Sequence, residues 1–293
     1  MPSILTVPQA FDQLIRSLEL SPREQDEASR QQNVLRDNLR GSLTVVHDFL
    51  SGSYLRRTAI RPLKDIDLIL VLDEAKHRGL RSQPPQQTLA LVRDALARAY
   101  PNAAPPREQA RSVNITFRGT EIGYDVVPAF RHTDSGYLIP DTERGGWIRS
   151  DPARHRDACI AANQAAGNML NPLIKMAKSL NARHHRPLRS FHLEVLAYSA
   201  FPTRPAAYDS GLHRLLVHLA DRVLHSCPDP AGLGPHIDQG MNIDARTKVR
   251  QVLLTWARGA EQALQARERQ DLAAAHTAWS ALFGPLYPAY RPS

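Results

Sequence analysis

Two aspartates separated by one residue stand at the start of an aliphatic run, "DIDLILVL" (65–72). In a β-strand, residues i and i+2 point to the same face, so Asp65 and Asp67 would project side by side, with Cα atoms about 7 Å apart. Two carboxylates this close are unfavourable unless a cation or a shared proton relieves their repulsion, and Mg²⁺ prefers such oxygen ligands. The spacing indicates a divalent-cation site at the start of a buried strand. The alternative interpretation is a solvated turn that holds two acids.

A small turn, Gly52-Ser53, lies upstream of the two aspartates and is followed by "YLRRTAI", which could begin a short helix. Glycine lets a backbone approach a ligand closely, and the amides at a helix start bind phosphate. The pair is therefore a candidate for binding a polyphosphate beside the cation site.

A third carboxylate, Asp125, lies in "EIGYDVVPAF" (121–130), which reads as a neighbouring strand. Asp73 is a poorer third ligand, because it lies about 20 Å along the same strand. Three carboxylates around two cations suit phosphoryl transfer: one cation activates an attacking hydroxyl, and the other holds the triphosphate and the leaving pyrophosphate. Asp125 could also accept the proton of the nucleophile.

The elements that must position these residues change in type along the chain. Apolar and β-branched runs predict strands at 42–50, at 65–72 and on both sides of a turn at Arg118-Gly119-Thr120 within 112–130. Helices are predicted over 22–41, with Ser21 as N-cap and Gly41 as terminator, and within 82–101. From about residue 151 only helical spacing appears. We expect an α+β fold with a core domain at 1–150, which includes an N-terminal helix, and a helical domain at 151–293.

The composition fits an ordinary globular protein of 293 residues with 42% hydrophobic residues, a net charge of +8 and two cysteines. The basic balance favours anionic partners such as nucleotides, nucleic acid or anionic lipid, without choosing among them. The apolar runs are shorter than the ~18–20 residues of a membrane helix, and the first residues lack the features of a secretory signal. These observations predict a cytoplasmic protein with free thiols and no membrane partner.

The order Gly-Ser, Asp-x-Asp, Asp resembles the nucleotidyltransferase superfamily of DNA polymerase β. "GSYLRRTAIRPLKDIDLILVL" and "EIGYDVVPAF" look like the bacterial cGAS/DncV-like nucleotidyltransferases (CD-NTases), the cyclic-oligonucleotide synthases of CBASS anti-phage defence. "NPLIKMAKSLNARHHRPLRSFHLEVL" and "AWSALFGPLYP" resemble their central helices and C-terminal ending. The resemblance runs from about residue 40 to the end. It implies a polymerase β-like core, a mixed sheet with flanking helices, followed by an all-helical domain, with the active site in the cleft between them.

The resemblance also implies roles for individual residues. Asp65, Asp67 and Asp125 would be catalytic metal ligands for two Mg²⁺ or Mn²⁺ ions. The nucleotide-binding residues would be Gly52, Ser53, Lys178 and Ser190. Lys178 could instead be a solvated helix lysine, and Ser190 could simply cap its helix. Glu194 is left as a structural residue, and Trp256 and Trp279 are expected in the core.

The function that the resemblance implies is condensation of nucleoside triphosphates, ATP and a second triphosphate such as GTP, into a cyclic di- or trinucleotide second messenger with release of pyrophosphate. A downstream effector activated by the product is expected, an activating regulator is left open, and no stable nucleic-acid partner is expected. One alternative is an RNA-directed (CCA-adding or poly(A)-type) or small-molecule nucleotidyltransferase with the same three aspartates. Another is a non-catalytic nucleotide sensor, which the three retained carboxylates disfavour.

Overall fold

A computed structural model describes residues 5–117 and 119–290 of the chain. Contacts divide the chain into two compact units. The sheet unit comprises Leu20–Arg156 and Ala231–Pro235, and the helical unit comprises Met1–Glu19, Asp157–Pro230 and His236–Ser293, of which 1–4 and 291–293 are not described. The first helix thus groups with the helical unit, whereas the sequence analysis placed it in the core domain. The domain boundary at residue 150 stays a prediction.

The sheet unit contains one mixed sheet of seven strands. β2 pairs antiparallel with β1 and parallel with β5, and β5 continues through β4 to β3 by antiparallel pairing. β6 pairs antiparallel with the C-terminal end of β5 and also with β7. The strands are β1 (Val45–Leu50), β2 (Asp65–Leu72), β3 (Arg107–Glu108), β4 (Val113–Thr116), β5 (Gly123–Arg131), β6 (Tyr137–Asp141) and β7 (Gly146–Ser150). The predicted strands at 42–50, at 65–72 and within 112–130 are confirmed, while the Arg118 part of the predicted turn lies outside the described residues.

Alternation along β2 gives the sheet two different faces. Ile66, Leu68 and Leu70 are fully buried in the larger core of this unit. Ile69 and Val71 point to the opposite face and belong to a small separate apolar cluster. Because Asp65 and Asp67 share the parity of Ile69, the sheet places both carboxylates on the face with the smaller apolar cluster.

Three helices belong to the sheet unit: α2 (Pro22–Ser42), the single turn α3 (Gly52–Leu55) and α4 (Pro85–Ala99). α2 begins as predicted, because Ser21 and Glu24 form a reciprocal capping box that satisfies free amides at the helix start. The predicted stop at Gly41 is wrong by a short margin. Leu43 caps the helix, with its amide bonded to the Leu39 carbonyl, so Gly41 lies inside the last turn.

The hairpin β6–β7 was missed by the sequence analysis. Its residues fall in the Gly-rich, polar stretch near 140–150 that was interpreted as a domain boundary. The strand "GWIRS" is half-buried along its whole length, so it lacks the alternation that marks a strand with one buried face. The hairpin is the last strand structure in the described residues.

The helical unit packs around its own large apolar core. Phe11 of the first helix makes an edge-to-face contact with Trp279, at 4.8 Å between ring centroids. Trp279 and Trp256 are buried, which confirms their predicted place in the core, and the thiols of Cys159 and Cys227 are buried as well. The helices are α1 (Val7–Leu18), α5 (Pro152–Ala165, which contains the boundary between the units), α6 (Leu170–Arg183), α7 (Ser190–Ala197), α8 (Tyr208–Arg222), α9 (Ile243–Glu268) and α10 (Leu272–Phe283). None of the described helices combines the length and apolar character that crossing a membrane needs.

Candidate active site

The register between β2 and β5 sets the three candidate carboxylates side by side. Asp67 is the direct Cα partner of Asp125, and Asp65 is the partner of Gly123. In a parallel pair, partnered residues point to the same face, so all three carboxylates stand on one face of the sheet. Asp65 is exposed, whereas Asp67 and Asp125 are half-buried. A ligand from solvent can therefore reach the group.

The environment of Asp125 opposes its ionisation. Burial raises the pKa of its carboxyl above the ordinary value, and the nearby charge of Asp65 raises the pKa further. Hydrogen bonds from the side chains of Asn114 and Gln109, together with the charge of Arg107, lower the pKa in part. Burial is the largest of these effects, so the carboxylate is held in a setting where a positive partner or a proton is favourable.

Gly52 brings the backbone of the predicted phosphate turn directly against Asp67. A Cβ atom built on Gly52 would overlap the Asp67 carboxylate, and its φ of +65° is in the left-handed region that favours glycine. The amide of Ser51 donates to the backbone carbonyl of Asp67 at 2.8 Å, which fixes the turn to β2. The Ser53 carbonyl accepts from the Thr58 amide at 2.9 Å, which closes the loop that follows. Gly52 is thus required both by backbone conformation and by the space that Asp67 occupies.

The basic residues between the turn and β2 lie in different environments. Arg56 is buried, whereas Arg57 and Lys64 are exposed. Arg61 pairs with Glu24 at 3.2 Å between Nε and Oε2. The exposed cations fit electrostatic attraction of polyphosphate, and Arg61 in addition stabilises the start of α2.

Lys178 and Glu194 form a buried ion pair in the helical unit. The ammonium Nζ of Lys178 lies 2.9 Å from Glu194 Oε1, and the two side chains are only 6% and 1% exposed. The alternative interpretation of Lys178 as a solvated helix lysine is therefore wrong. The pairing was not predicted, because the two residues lie on different helices, α6 and α7, that meet only in the fold. The local signal was that Lys178 and Glu194 each stand among apolar residues of their own helix, at positions where a buried helix face normally carries an apolar side chain.

Ser190 is exposed and is the first residue of α7. Arg189 occupies the N-cap position, without a side-chain capping bond, and its carbonyl accepts from the Leu193 amide at 3.0 Å. The alternative interpretation of Ser190 as the N-cap is therefore wrong. Its hydroxyl stands at the start of a helix, where free backbone amides also lie.

A divalent cation fits the carboxylate group by chemistry and by register. Three carboxylates from adjacent strands offer the hard oxygen donors that Mg²⁺ and Mn²⁺ take. The backbone at Gly52 leaves room for the Asp67 carboxylate that a side chain would fill. Within residues 5–117 and 119–290, however, no three His, Cys, Asp or Glu side chains are gathered closely enough to hold a metal ion.

The sequence profile of a known family covers the sheet unit and the start of the helical unit. The profile of the Second Messenger Oligonucleotide or Dinucleotide Synthetase (SMODS) domain matches residues 5–163. The chain belongs to this family. The predicted resemblance to cGAS/DncV-like nucleotidyltransferases is thereby confirmed, as is the predicted enzyme class, a nucleotidyltransferase that makes cyclic oligonucleotides.

Individual SMODS relatives match along nearly the whole chain. The sequence is 29% identical to a cyclic AMP-AMP-AMP synthase from Acinetobacter sp., over 97% of this chain and 86% of the relative. The fold matches Vibrio cholerae DncV cyclic AMP-GMP synthase with a TM-score of 0.77 at 12% identity, covering 97% of this chain and 98% of that one. It also matches E. coli MS115-1 CdnC from its complex with HORMA-deltaN, with a TM-score of 0.75 at 19% identity, covering 96% and 98%. The predicted α+β fold class is confirmed by these matches.

Proposed function

We propose that this SMODS synthase condenses ATP into a cyclic triadenylate, releasing one pyrophosphate for each bond formed. The observation that carries the proposal is the register of Asp67 against Asp125 beside the close approach of Gly52. This arrangement offers a carboxylate group next to a glycine turn, as transfer from a triphosphate needs. The adenine product is supported by the match to a cyclic AMP-AMP-AMP synthase along nearly the whole chain.

In this proposal Asp65, Asp67 and Asp125 hold two Mg²⁺ or Mn²⁺ ions. Bound there, the cations would neutralise the triphosphate and favour ionisation of the attacking ribose hydroxyl. The hydroxyl oxygen forms a bond to the α-phosphorus as the bond to pyrophosphate breaks, and the Asp125 carboxylate takes the hydroxyl proton.

The same proposal assigns triphosphate binding to Gly52, Ser53, Lys178 and Ser190, as the family resemblance implies. Gly52 exposes backbone rather than a side chain, and Ser190 offers a hydroxyl at a helix start. The Lys178 ammonium would bind phosphate while Glu194 holds it in place. Because that ammonium already has a carboxylate partner, it would contribute a positioned donor more than a free charge.

The wider context is also a proposal. A regulator of the HORMA type is supported by the match to CdnC from its complex with HORMA-deltaN. An effector that binds the cyclic product and a role in anti-phage defence follow from the family resemblance. GTP, the second triphosphate that the family resemblance implies, is the alternative substrate, because the fold also matches a cyclic AMP-GMP synthase.

Mass spectrometry of the product tests the proposal. The purified chain is incubated with an equimolar mixture of the four nucleoside triphosphates and Mg²⁺ or Mn²⁺, with and without a candidate HORMA partner. We expect a phosphatase-resistant cyclic triadenylate that needs ATP alone. Asp67→Asn should lower the rate by at least about 10³-fold, since a charged ligand is lost at the reacting centre. Asp73→Asn is the matched control, because Asp73 lies just beyond the same strand and its carboxylate accepts from the turn amides of Ala75 and Lys76.

Other products would point elsewhere. A product that contains guanine would overturn the adenine assignment and leave the synthase class intact. Extension of an added RNA 3′ end without a cyclic product would favour the RNA-directed alternative. Absence of any product in every mixture, from a folded protein that binds ATP equally well after Asp67→Asn, would favour the nucleotide sensor.

A further inference from the structure

Asn114 is a polar residue beside the candidate carboxylates, and the proposed reaction assigns it no role. It lies on β4 as the direct Cα partner of Asp125, and it is buried to 4% exposure. Its amide nitrogen Nδ2 donates to Asp125 Oδ1 at 2.8 Å. A buried amide that points at a candidate metal ligand has a defined orientation, because the strand register fixes both backbones.

The surroundings of Asn114 hold this orientation. The Thr116 hydroxyl donates to Asn114 Oδ1 at 3.3 Å, which favours the amide rotamer with Nδ2 toward Asp125. On the other side lies Gly123, where an added Cβ would stand 3.1 Å from Asn114 Nδ2 and 2.5 Å from Asp65 Oδ1. The amide therefore sits beside two of the three carboxylates, in a space that exists because residue 123 has no side chain.

We propose that Asn114 is a positioning residue that sets the orientation of the Asp125 carboxylate for cation binding. The inference rests on the proposed metal role of Asp125. A hydrogen bond to Oδ1 removes rotation of the carboxylate plane and directs its remaining lone pairs. Hydrogen-bonded partners of metal ligands change metal affinity or activity by about 10–100-fold when they are removed. The neutral amide does this without adding a charge that would compete with the cation.

The test is the affinity of the protein for Mn²⁺ in the presence of a non-hydrolysable ATP analogue. Calorimetry measures this affinity separately from turnover. Asn114→Leu keeps a similar volume and removes the donor, and Asn114→Asp keeps the shape but turns a donor into a repelling carboxylate. We expect Asn114→Leu to weaken Mn²⁺ binding by about 10-fold and to raise the Mn²⁺ concentration for half-maximal activity equally. Thr116→Val, which removes only the supporting hydroxyl, should have a smaller effect in the same direction.

A double-mutant comparison separates positioning from a general structural role. In an Asp125→Asn background, Asn114→Leu should change Mn²⁺ binding little, because the ligand through which it acts is gone. An equal loss in both backgrounds, or unchanged Mn²⁺ binding in a folded Asn114→Leu protein, would overturn the inference. Metal-dependent synthesis by the unmodified chain would stand in that case, so failure here is distinct from failure of the proposed function.

Discussion

Two groups of charged side chains, one in each unit of the chain, are arranged in opposite ways. The sheet unit sets three carboxylates of like charge on adjacent positions of two strands. The helical unit instead buries one cation, Lys178, against one anion, Glu194. Like charges side by side are unfavourable until a ligand of opposite charge arrives, whereas the paired charges are compensated within the fold. The first arrangement is the one expected of a binding site, and the second is compatible with a role in both structure and binding.

The largest expected effect comes from breaking the pair in the helical unit. Glu194→Leu would leave a buried ammonium without its carboxylate at 2.9 Å, and we expect the free energy of unfolding to fall by about 3–5 kcal/mol. The double variant Lys178→Met with Glu194→Leu should recover most of that loss, because two apolar side chains replace a buried ion pair. Denaturant unfolding of the three proteins measures the difference.

A more exposed pair in the same unit supplies the control. Lys175 pairs with Glu19 at 3.7 Å, and the Glu19 side chain is 51% exposed. Glu19→Leu should change the free energy of unfolding by less than about 1 kcal/mol, because the Glu19 carboxylate is exposed and the Lys175 side chain, 13% exposed, still reaches water. A large loss for Glu19→Leu together with a small one for Glu194→Leu would contradict the view that the fold depends on the buried Lys178–Glu194 pair. Synthesis by the folded double variant would argue against a phosphate-binding role for Lys178.

Gly52 tests whether the carboxylates of the sheet unit depend on the close backbone approach. A Cβ at Gly52 would overlap the Asp67 carboxylate, so Gly52→Ala must displace the side chain or the turn. Because misplacement of a catalytic group by about 1 Å lowers rates about 10²-fold, we expect a loss of that size in kcat/KM. Gly79→Ala is the matched control: its φ is also positive, at +85°, but nothing lies within 4 Å of the added Cβ.

Gly79→Ala should therefore show only the strain of a left-handed residue, about 1–2 kcal/mol of unfolding free energy, with synthesis retained. Steady-state rates and thermal unfolding of the two variants give the comparison. Equal activity of Gly52→Ala and Gly79→Ala would show that Asp67 does not need the glycine turn beside it.

The sequence could predict the sheet unit's charges because their placement follows from local rules. Asp65 and Asp67 share a face through the two-residue period of a strand, and the aliphatic run marks that strand clearly. That Asp125 lies in a neighbouring strand was also predicted, but its register against Asp67 was not, because strand register depends on contacts distant in sequence. The Lys178–Glu194 pair depends in the same way on how α6 packs against α7, and no local period encodes it. The β6–β7 hairpin was missed because neither of its strands alternates between buried and exposed residues.

Acid should act in opposite directions on one group in each unit. In the helical unit, burial lowers the pKa of His192 from 6.5 to about 4, and neither ring nitrogen has a partner among the described residues. The fold prefers the neutral imidazole, so this stability is complete above pH 6.5 and is lost as the pH falls toward about 4. The full loss would be about 3 kcal/mol, at about 1.4 kcal/mol per unit of pKa. In the sheet unit, burial raises the pKa of Asp125. The free-energy cost of keeping this carboxylate ionised in the fold is therefore relieved as the pH falls through the raised pKa.

Hydrogen–deuterium exchange at pH 7 and pH 4.5, followed by peptide, measures the two units separately. Helical-unit peptides should lose protection at the lower pH, and His192→Leu should reduce that loss because an apolar side chain needs no proton in the unfolded state. The charges around His192 are those of Asp238, Arg189 and Arg246. Replacement of the exposed His225 by Gln is the control, and it should leave the acid response unchanged. An identical acid response after His192→Leu would assign the effect to another group.

The smallest expected effect lies at a purely local feature of the sheet unit, the capping box of α2. The Ser21 hydroxyl accepts from the Glu24 amide at 3.3 Å, and Glu24 Oε2 accepts from the Ser21 amide at 2.8 Å. Ser21→Ala should lower the free energy of unfolding by about 1 kcal/mol, because one free amide at the helix start loses its acceptor. Ser42→Ala, at the other end of the same helix, removes an exposed hydroxyl bonded to the Asn38 carbonyl and should change stability by less.

Since Ser21 touches none of the three carboxylates in the hydrogen bonds described, kcat should stay unchanged in Ser21→Ala. A fall in kcat without a fall in stability would mean that a change at the start of α2 alters the carboxylate group through the fold. Capping of α2 and the chemistry at the three carboxylates would then not be independent.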